Sequence, residues 1–179
     1  IEGVIKTADA IKTTLGPAGK CVAIDSGFGA PEITRDGATV AKSISFSDPV
    51  LNMGAQLVKK AASRTEEQCG DSTSTTSILL KEFCEKGRRH LNAGCNVNEL
   101  KSGMLKAMSW VKEFIKSSSI KVDGDFEKIK RVATISANND PVVGSLVVEC
   151  MEKVGINGII TADVSSGLDT QVDVTTGMK

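Results

Sequence analysis

Three short polar segments hold residue types that can bind ions, and hydrophobic packing does not account for them. One of them, residues 70–75, lies just before an apolar helical pattern. The start of a helix presents unpaired N–H groups and the positive end of its dipole. Its hydroxyl groups add donors for phosphate oxygens, so it predicts an anion site. The three segments are Thr14-Leu15-Gly16-Pro17, Arg35-Asp36-Gly37 and Gly70-Asp71-Ser72-Thr73-Ser74-Thr75.

The carboxylates in these segments indicate that a cation accompanies the anion. Asp71 would repel a bare phosphate, so a divalent cation that bridges the carboxylate and the phosphates is the sensible ligand. Asp36 offers a second carboxylate beside Gly37. Two carboxylates next to a phosphate-binding loop suit metal-assisted phosphoryl transfer, in which positioning and electrostatics supply most of the catalysis.

An ordinary structural role explains the same residues equally simply. Asp-Ser-Thr-Ser before an apolar helix is a common N-cap, and Asp-Gly is a common turn. The sequence contains no G-x-x-x-x-G-K-[ST], G-x-S-x-G or H-E-x-x-H motif. The residue pattern by itself therefore leaves open a choice between a nucleotide site and plain helix caps and turns.

The composition excludes several classes of function. The 179 residues carry 22 basic and 22 acidic side chains, so there is no sign imbalance of the kind that nucleic-acid binders show. Aromatic residues make up only 3% of the chain, and no apolar run is long enough to span a bilayer. Cys84, His90 and Cys95 lack the paired spacing of a zinc site. The five cysteines predict small buried side chains in a soluble cytoplasmic protein.

The hydrophobic periodicity predicts the elements that position these segments. Apolar residues three or four apart indicate helices, and short β-branched runs bounded by glycine indicate strands. The fold class is therefore mostly α with small β-hairpins (α+β), with Asp36-Gly37 as a tight turn and Trp110 packed on a face away from the stripe of its helix. Helices are expected near 1–15, 48–68, 76–91, 96–116, 125–137 and 141–154, and strands at 20–25, 32–35, 158–164 and 170–174.

The order of motifs along the whole chain resembles the group I, GroEL-like chaperonins. The resemblance implies that residues 1–118 are the N-terminal part of an equatorial ATP-binding domain. It implies that residues 119–176 are the ascending part of the intermediate domain and that 177–179 form a hinge towards an apical domain. The motifs are Thr14-Leu15-Gly16-Pro17, Phe28-Gly29-Ala30-Pro31, Ile33-Thr34-Arg35-Asp36-Gly37, Asn52-Met53-Gly54-Ala55-Gln56, Gly70-Asp71-Ser72-Thr73-Ser74-Thr75, Thr134-Ile135-Ser136-Ala137-Asn138 and Val154-Gly155-Ile156-Asn157-Gly158.

The same resemblance implies roles for individual residues. The turn at Thr14, Leu15, Gly16 and Pro17 would lie against ATP, Asp71 would hold Mg²⁺, and Ile135 would close over the nucleotide. Arg35 and Asp36 would border the phosphates, a K⁺ site and the attacking water, with Asp36 as the catalytic residue of this chain. Residues expected to wrap the phosphates are Ser72, Thr73, Ser74 and Thr75.

The resemblance implies an ATP-dependent chaperone that forms a homo-oligomeric ring and binds unfolded client proteins and a GroES-like co-chaperonin. The chain is expected to be an N-terminal fragment of such a subunit, inactive by itself because the second catalytic Asp belongs to a later segment. Apolar helix faces that later segments cover in the family would then be exposed. An unrelated small-molecule kinase is the weak third interpretation, since no acceptor pocket is recognisable.

Four residues depart from the family pattern and favour an alternative function. Ser72 stands where the family has Gly, and its Cβ would crowd a backbone position close to phosphate that favours a glycine conformation. Ser74 replaces Thr, Arg35 replaces Lys, and Ala18 replaces a basic residue. The alternative is a degenerate chaperonin paralogue that serves as a non-hydrolysing structural or interaction protein.

Overall fold

A computed structural model places the chain in two compact units, Ile1–Trp110 and Val111–Lys179. The structure describes residues 1–16, 18–25, 27, 29–122, 124–137, 139–155, 158–163, 170 and 172–175. Within them, the mostly helical fold class with a small antiparallel hairpin is confirmed. The elements are α1 (Glu2–Lys12), β1 (Val22–Ile24), β2 (Glu32–Thr34), α2 (Gly37–Ser43), α3 (Pro49–Cys69), α4 (Thr73–Asn92), α5 (Val97–Ser118), α6 (Phe126–Ser136) and α7 (Pro141–Val154).

The core of the first unit forms where α1, α2, α3 and α4 meet. It buries the apolar residues that share one face of α1 and one face of α3, because residues three or four apart lie on the same side of a helix. At the two ends of the pattern in the first helical segment, Ile1 and Leu15 are exposed. Partly buried side chains from the hairpin and from α4 pack against this cluster. The buried cluster consists of Val4, Ile11, Val40, Ala41, Val58 and Ala62.

The hairpin pairs β1 with β2 in antiparallel register, with Ala23 opposite Ile33. The predicted tight turn at Asp36-Gly37 is wrong. Asp36 is the N-cap of α2, and its carboxylate accepts the Thr39 N–H at 2.7 Å, so the chain leaves β2 directly into a helix. The sequence analysis missed α2 because the helix has only seven residues and begins with a glycine.

Helix α4 packs through a different face from the one that its large apolar residues predict. Leu79, Phe83 and Leu91 are exposed, whereas Thr73 and Ser77 are buried and Leu80 and Cys84 reach the core. The inward residues are spaced four, three and four apart, which is one helix face, and its two buried members, Thr73 and Ser77, are small. Small residues are favoured there because they let α4 approach α1 closely.

Two further expectations about side chains are wrong. Trp110 is 62% exposed, and its ring lies 5.5 Å from the Lys106 ammonium group instead of packing against another element. Cys21 and Cys69 are exposed rather than buried, and the other three cysteines are half-buried. Among them, Cys84 is the cysteine that packs against the core cluster.

Helix α5 buries none of its residues. Its apolar residues, spaced three or four apart, share one face on which Leu100 is half-buried and the other four are exposed, namely Met104, Met108, Val111 and Ile115. The boundary between the two units falls within this helix, after Trp110. The exposed stripe agrees with the expectation that apolar helix faces are open in this chain.

The second unit contains the helix pair α6 and α7, which pack closely at the buried Gly144. The predicted helices are confirmed, and each begins at an aspartate cap, Asp125 and Asp140. The described residues of the two expected strands, 158–163, 170 and 172–174, are not in a strand, while Val164 and Gln171 lie outside the described residues. No helix in the described part of the chain is long and apolar enough to cross a membrane.

Candidate functional site

The three polar segments come together around one open cleft of about 280 Å³ in the first unit. Each follows the end of one element: α1 for the first segment, β2 for the second and α3 for the third. The sequence separates them by many residues, and only the packing of α1, α2 and α4 brings them to one place. The residues that line the cleft are Thr14, Leu15, Gly16, Arg35, Asp36, Gly37, Asp71, Ser72, Thr73, Ser74 and Thr75.

Two of the predicted site residues are not among the described residues that line the cleft. Pro17 lies outside the described residues. Ile135 belongs to α6 in the second unit, where it is 69% exposed. It lines a groove of about 360 Å³ along α6, together with Glu127, Lys130, Arg131 and Thr134.

The start of α4 faces the cleft without a side-chain cap. The side chain of its N-cap residue, Ser72, makes no capping hydrogen bond, and the first turn contains no acidic residue. The first N–H groups of an α-helix have no partner within the helix, so they are available to an anion. By contrast, the carboxylates of Asp36, Asp48, Asp125 and Asp140 cap α2, α3, α6 and α7.

Ser72 has a left-handed backbone, with φ 68° and ψ 20°. A residue with a Cβ is strained by roughly 1–2 kcal/mol in this region, whereas glycine adopts it readily. The expectation that this position favours glycine is therefore confirmed by its backbone angles. The Ser72 N–H donates to Asp71 Oδ1 at 2.6 Å, so the neighbouring carboxylate holds the turn in this shape.

Asp36 combines a structural role with a place in the cleft. Burial tends to raise the pKa of its carboxyl, but the Thr39 hydroxyl and N–H, the Ala38 N–H and the Lys42 charge together lower this pKa below its ordinary value of 3.8. Asp36 Oδ2 accepts both Thr39 donors at 2.7 Å. The residue is therefore a fixed negative charge at neutral pH, and its other oxygen is not required for this cap.

Gly37 and the Thr14–Ser74 pair join the segments to one another. A Cβ at residue 37 would overlap the Ser74 side-chain oxygen, so any other residue there would have to displace the Ser74 hydroxyl. Ser74 Oγ also lies 3.1 Å from Thr14 Oγ1. The sequence analysis gave Gly37 no role in the site, since a glycine after an aspartate is normally interpreted as a turn.

The described residues contain no cluster of three or more His, Cys, Asp and Glu side chains that could hold a metal by itself. A cation in the cleft would therefore need ligands from phosphates and water in addition to Asp71. This donor set fits Mg²⁺, which keeps several waters and is commonly bound by one or two carboxylates and by substrate phosphates.

The helical fold with its small hairpin is of the chaperonin type, and comparison with known proteins identifies the family. The model of the TCP-1/cpn60 chaperonin family matches residues 7–178. The chain belongs to the TCP-1/cpn60 chaperonin family.

Solved structures of one chaperonin resemble this chain. They are of gp146 from the bacteriophage EL 2 (Pseudomonas aeruginosa), crystallised in the presence of ATP-BeFx. Crystal form II gives a TM-score of 0.66 at 29% identity, covering 82% of this chain and 26% of gp146. Crystal form I gives a TM-score of 0.68 at 28% identity, covering 84% of this chain and 27% of gp146. The chain thus spans about a quarter of the length of this relative.

Proposed function

We propose that this chain supplies the phosphate- and Mg²⁺-binding part of the ATP site of a chaperonin subunit. The observation that carries the proposal is the convergence of three separate polar segments at the uncapped start of α4. Ordinary caps and turns would have no reason to meet in one cleft. Membership of the TCP-1/cpn60 chaperonin family and the likeness to a chaperonin crystallised with ATP-BeFx support the same conclusion.

In this proposal the first turn of α4 binds the phosphates. The N–H groups of Thr73, Ser74 and Thr75 and the positive helix end would attract the oxygens, and the turn at Thr14–Gly16 would cover the other side. Arg35, which is half-buried at the cleft, adds a positive charge next to the phosphates. Polar donors dominate these lining residues, which suits a highly charged ligand.

Asp71 would bind Mg²⁺, whose charge stabilises the transferring phosphoryl group when the ion is present. Asp36 would orient the attacking water and border a K⁺ ion, because it is ionised and fixed at the edge of the cleft. Hydrolysis by the whole protein further requires the second catalytic Asp that the family resemblance places outside this chain. Ile135 would close over the nucleotide from the intermediate part.

Membership of the TCP-1/cpn60 chaperonin family supports a proposal for the larger assembly. In the whole protein, residues 1–118 would belong to the equatorial domain, 119–176 to the intermediate domain and 177–179 to the hinge. ATP binding and hydrolysis would drive domain rotations in a cytoplasmic homo-oligomeric ring that encloses unfolded clients with a GroES-like co-chaperonin.

Calorimetric titration of Mg·ATP into the purified protein tests the site. Wild-type protein and the Ser72→Gly variant are both expected to bind, because the start of α4 already has its left-handed turn. Asn139→Gly is the matched control, since Asn139 is the other described non-glycine residue with a positive φ, 64°, and it lies outside the cleft. This control is expected to leave ATP affinity unchanged. Absence of binding by both wild type and Ser72→Gly would refute the proposal.

The backbone of Ser72 favours a second candidate, a degenerate paralogue with a structural or interaction role. A strained residue with a side chain stands where phosphate must approach the backbone closely. This alternative predicts that Ser72→Gly binds Mg·ATP while wild type and Asn139→Gly do not. Both substitutions place glycine at a residue with a positive φ, but only the one at residue 72 removes a side chain from the cleft.

A further inference from the structure

We infer that Ser74 positions the phosphate-binding turn through Thr14 and does not itself donate a hydrogen bond to phosphate. This inference rests on the proposed function. It assigns Ser74 a different part in the site from the direct phosphate contact that the family resemblance implies.

The proton of the Thr14 hydroxyl is already committed to a backbone carbonyl. Thr14 Oγ1 donates to the carbonyl oxygen of Ile11 at 2.8 Å, and a carbonyl can only accept. A hydroxyl group has a single proton, so Thr14 has none left for Ser74. In the 3.1 Å contact between the two hydroxyls, Ser74 must therefore be the donor.

This direction commits the only proton of Ser74. The hydroxyls form a relay from Ser74 to Thr14 to the Ile11 carbonyl, which ends in the fully buried core of the first unit. The oxygen of Ser74 then presents only lone pairs to the rest of the cleft, and lone pairs do not bind a phosphate oxygen. The donors that remain to the first turn are its backbone N–H groups and the neighbouring threonine hydroxyls.

The surroundings of Ser74 make it suitable as a connecting residue. Thr14 is 7% exposed, so its bond to Ser74 is shielded from competing water. On another side, the Ser74 oxygen lies against Gly37, at the start of α2. Ser74 therefore links α4 to the turn after α1 and to the first residue of α2, and it sets the distance between all three segments.

A double-mutant cycle on Mg·ATP affinity tests the inference. Thr14→Val keeps the shape of the side chain, and the Ile11 carbonyl keeps its bond from the Thr14 N–H at 3.0 Å. Thr14→Val and Ser74→Ala are each expected to weaken affinity about 3- to 10-fold, and the double variant no further, because both remove the same link. Thr14→Ser, which keeps the hydroxyl, is expected to bind Mg·ATP more tightly than Thr14→Val, because the bond from Ser74 is restored.

A second pair of hydroxyls provides the matched control. Thr65 Oγ1 lies 3.1 Å from Thr76 Oγ1 and also bonds to the Ala61 carbonyl, an arrangement like that of Thr14 but away from the cleft. Thr65→Val is expected to leave ATP affinity unchanged while altering thermal stability to a similar extent. This separates an effect on the site from a general loss of stability.

Hydrogen exchange without nucleotide provides a measurement that does not depend on Thr14→Val folding well. Ser74→Ala is expected to speed amide exchange at residues 13–16 in the ligand-free protein, since the turn has lost its support. Unchanged exchange at residues 13–16, or losses of affinity that multiply in the double variant, would overturn the positioning role of Ser74. Neither result would affect the proposed ATP site. Failure of the wild type to bind Mg·ATP would overturn the proposed function and this role with it.

Discussion

Gly54 of α3 lies against the backbone nitrogen of Val4 where the two helices α3 and α1 cross. A Cβ on residue 54 would stand only 2.7 Å from that nitrogen. The same Cβ would lie 2.9 Å from the Cα of Gly3, so the two helices touch backbone to backbone. This crossing fixes α1, and the end of α1 carries Thr14 to the cleft.

Gly54→Ala is therefore expected to lower the free energy of unfolding by about 1–3 kcal/mol, because the helices must separate to admit a methyl group. Chemical denaturation of both proteins measures the change. Gly87→Ala on α4 is the control, since a Cβ there meets only Leu100 Cδ2 at 3.9 Å. That control should stabilise the protein by roughly 0.5–1 kcal/mol through helix propensity. Equal effects of the two variants would show that the close crossing is not maintained in solution.

Gly37→Ala is expected to reduce Mg·ATP affinity about 10-fold or more, because the new methyl group displaces the Ser74 side chain from the cleft. Gly103→Ala is the matched control, as a Cβ on this residue of α5 meets nothing within 4 Å. Calorimetric titration and a thermal melt of each variant separate loss of binding from loss of folding. An alanine at residue 37 that binds ATP as tightly as wild type would contradict the packing of α2 against α4.

Asp71→Asn is expected to remove the contribution of Mg²⁺ to nucleotide binding. In the wild type, chelation of Mg²⁺ should weaken ATP affinity, since in the proposed site the ion would be held by the carboxylate and the phosphates together. In the variant, affinities with and without Mg²⁺ should converge, because the amide is a poor ligand for this cation.

Asp48→Asn provides the comparison, because Asp48 caps α3 away from the cleft. It should keep the full Mg²⁺ dependence of the wild type. Persistence of that dependence in Asp71→Asn would place the metal elsewhere.

The lowered pKa of Asp36 predicts how stability changes in acid. A carboxyl whose pKa is below its ordinary value of 3.8 in the folded protein favours folding while it is ionised. Its contribution is complete well above that value and is lost as the pH falls through the lowered pKa. Asp36→Asn keeps an N-cap oxygen but has no charge, so it isolates this effect.

The difference in unfolding free energy between wild type and Asp36→Asn should accordingly be constant near neutrality and should shrink below about pH 4. Urea denaturation at a series of pH values measures it. A difference that grows on acidification would mean that folding raises the pKa of this carboxyl instead of lowering it.

The sequence predicted most helices because their signals are local. Apolar spacing identified α3, α6 and α7 nearly to their ends, and in the structure aspartates cap all three. Asn96 caps α5 by accepting the N–H groups of Asn98 and Glu99. Helix α2 was not predicted because its seven residues provide less than two full turns of hydrophobic pattern. The buried face of α4 was not predicted because Thr73 and Ser77 are buried for their small size, which a hydrophobicity pattern does not indicate.

The composition of the cleft was also predictable, but its geometry was not. Each polar segment contains recognisable donors or carboxylates, and the family resemblance joined the segments into one expected site. The hydroxyl relay through Thr14 and the overlap between Gly37 and Ser74 depend on distances between elements far apart in sequence. No local pattern contains that information, so only the folded chain distinguishes a residue that contacts a ligand from one that supports it.

The missing cap of α4 has a thermodynamic consequence. Asp36, Asp48, Asp125 and Asp140 complete the first turns of their helices with an anionic oxygen from the chain itself. Helix α4 begins at Ser72 without one, so the oxygen that completes it would have to come from a bound phosphate. The nucleotide would then complete the helix from outside the chain, and the first turn of α4 would be more stable when the cleft is occupied than when it is empty. Ligand concentration would thereby set the stability of the fold as well as its activity.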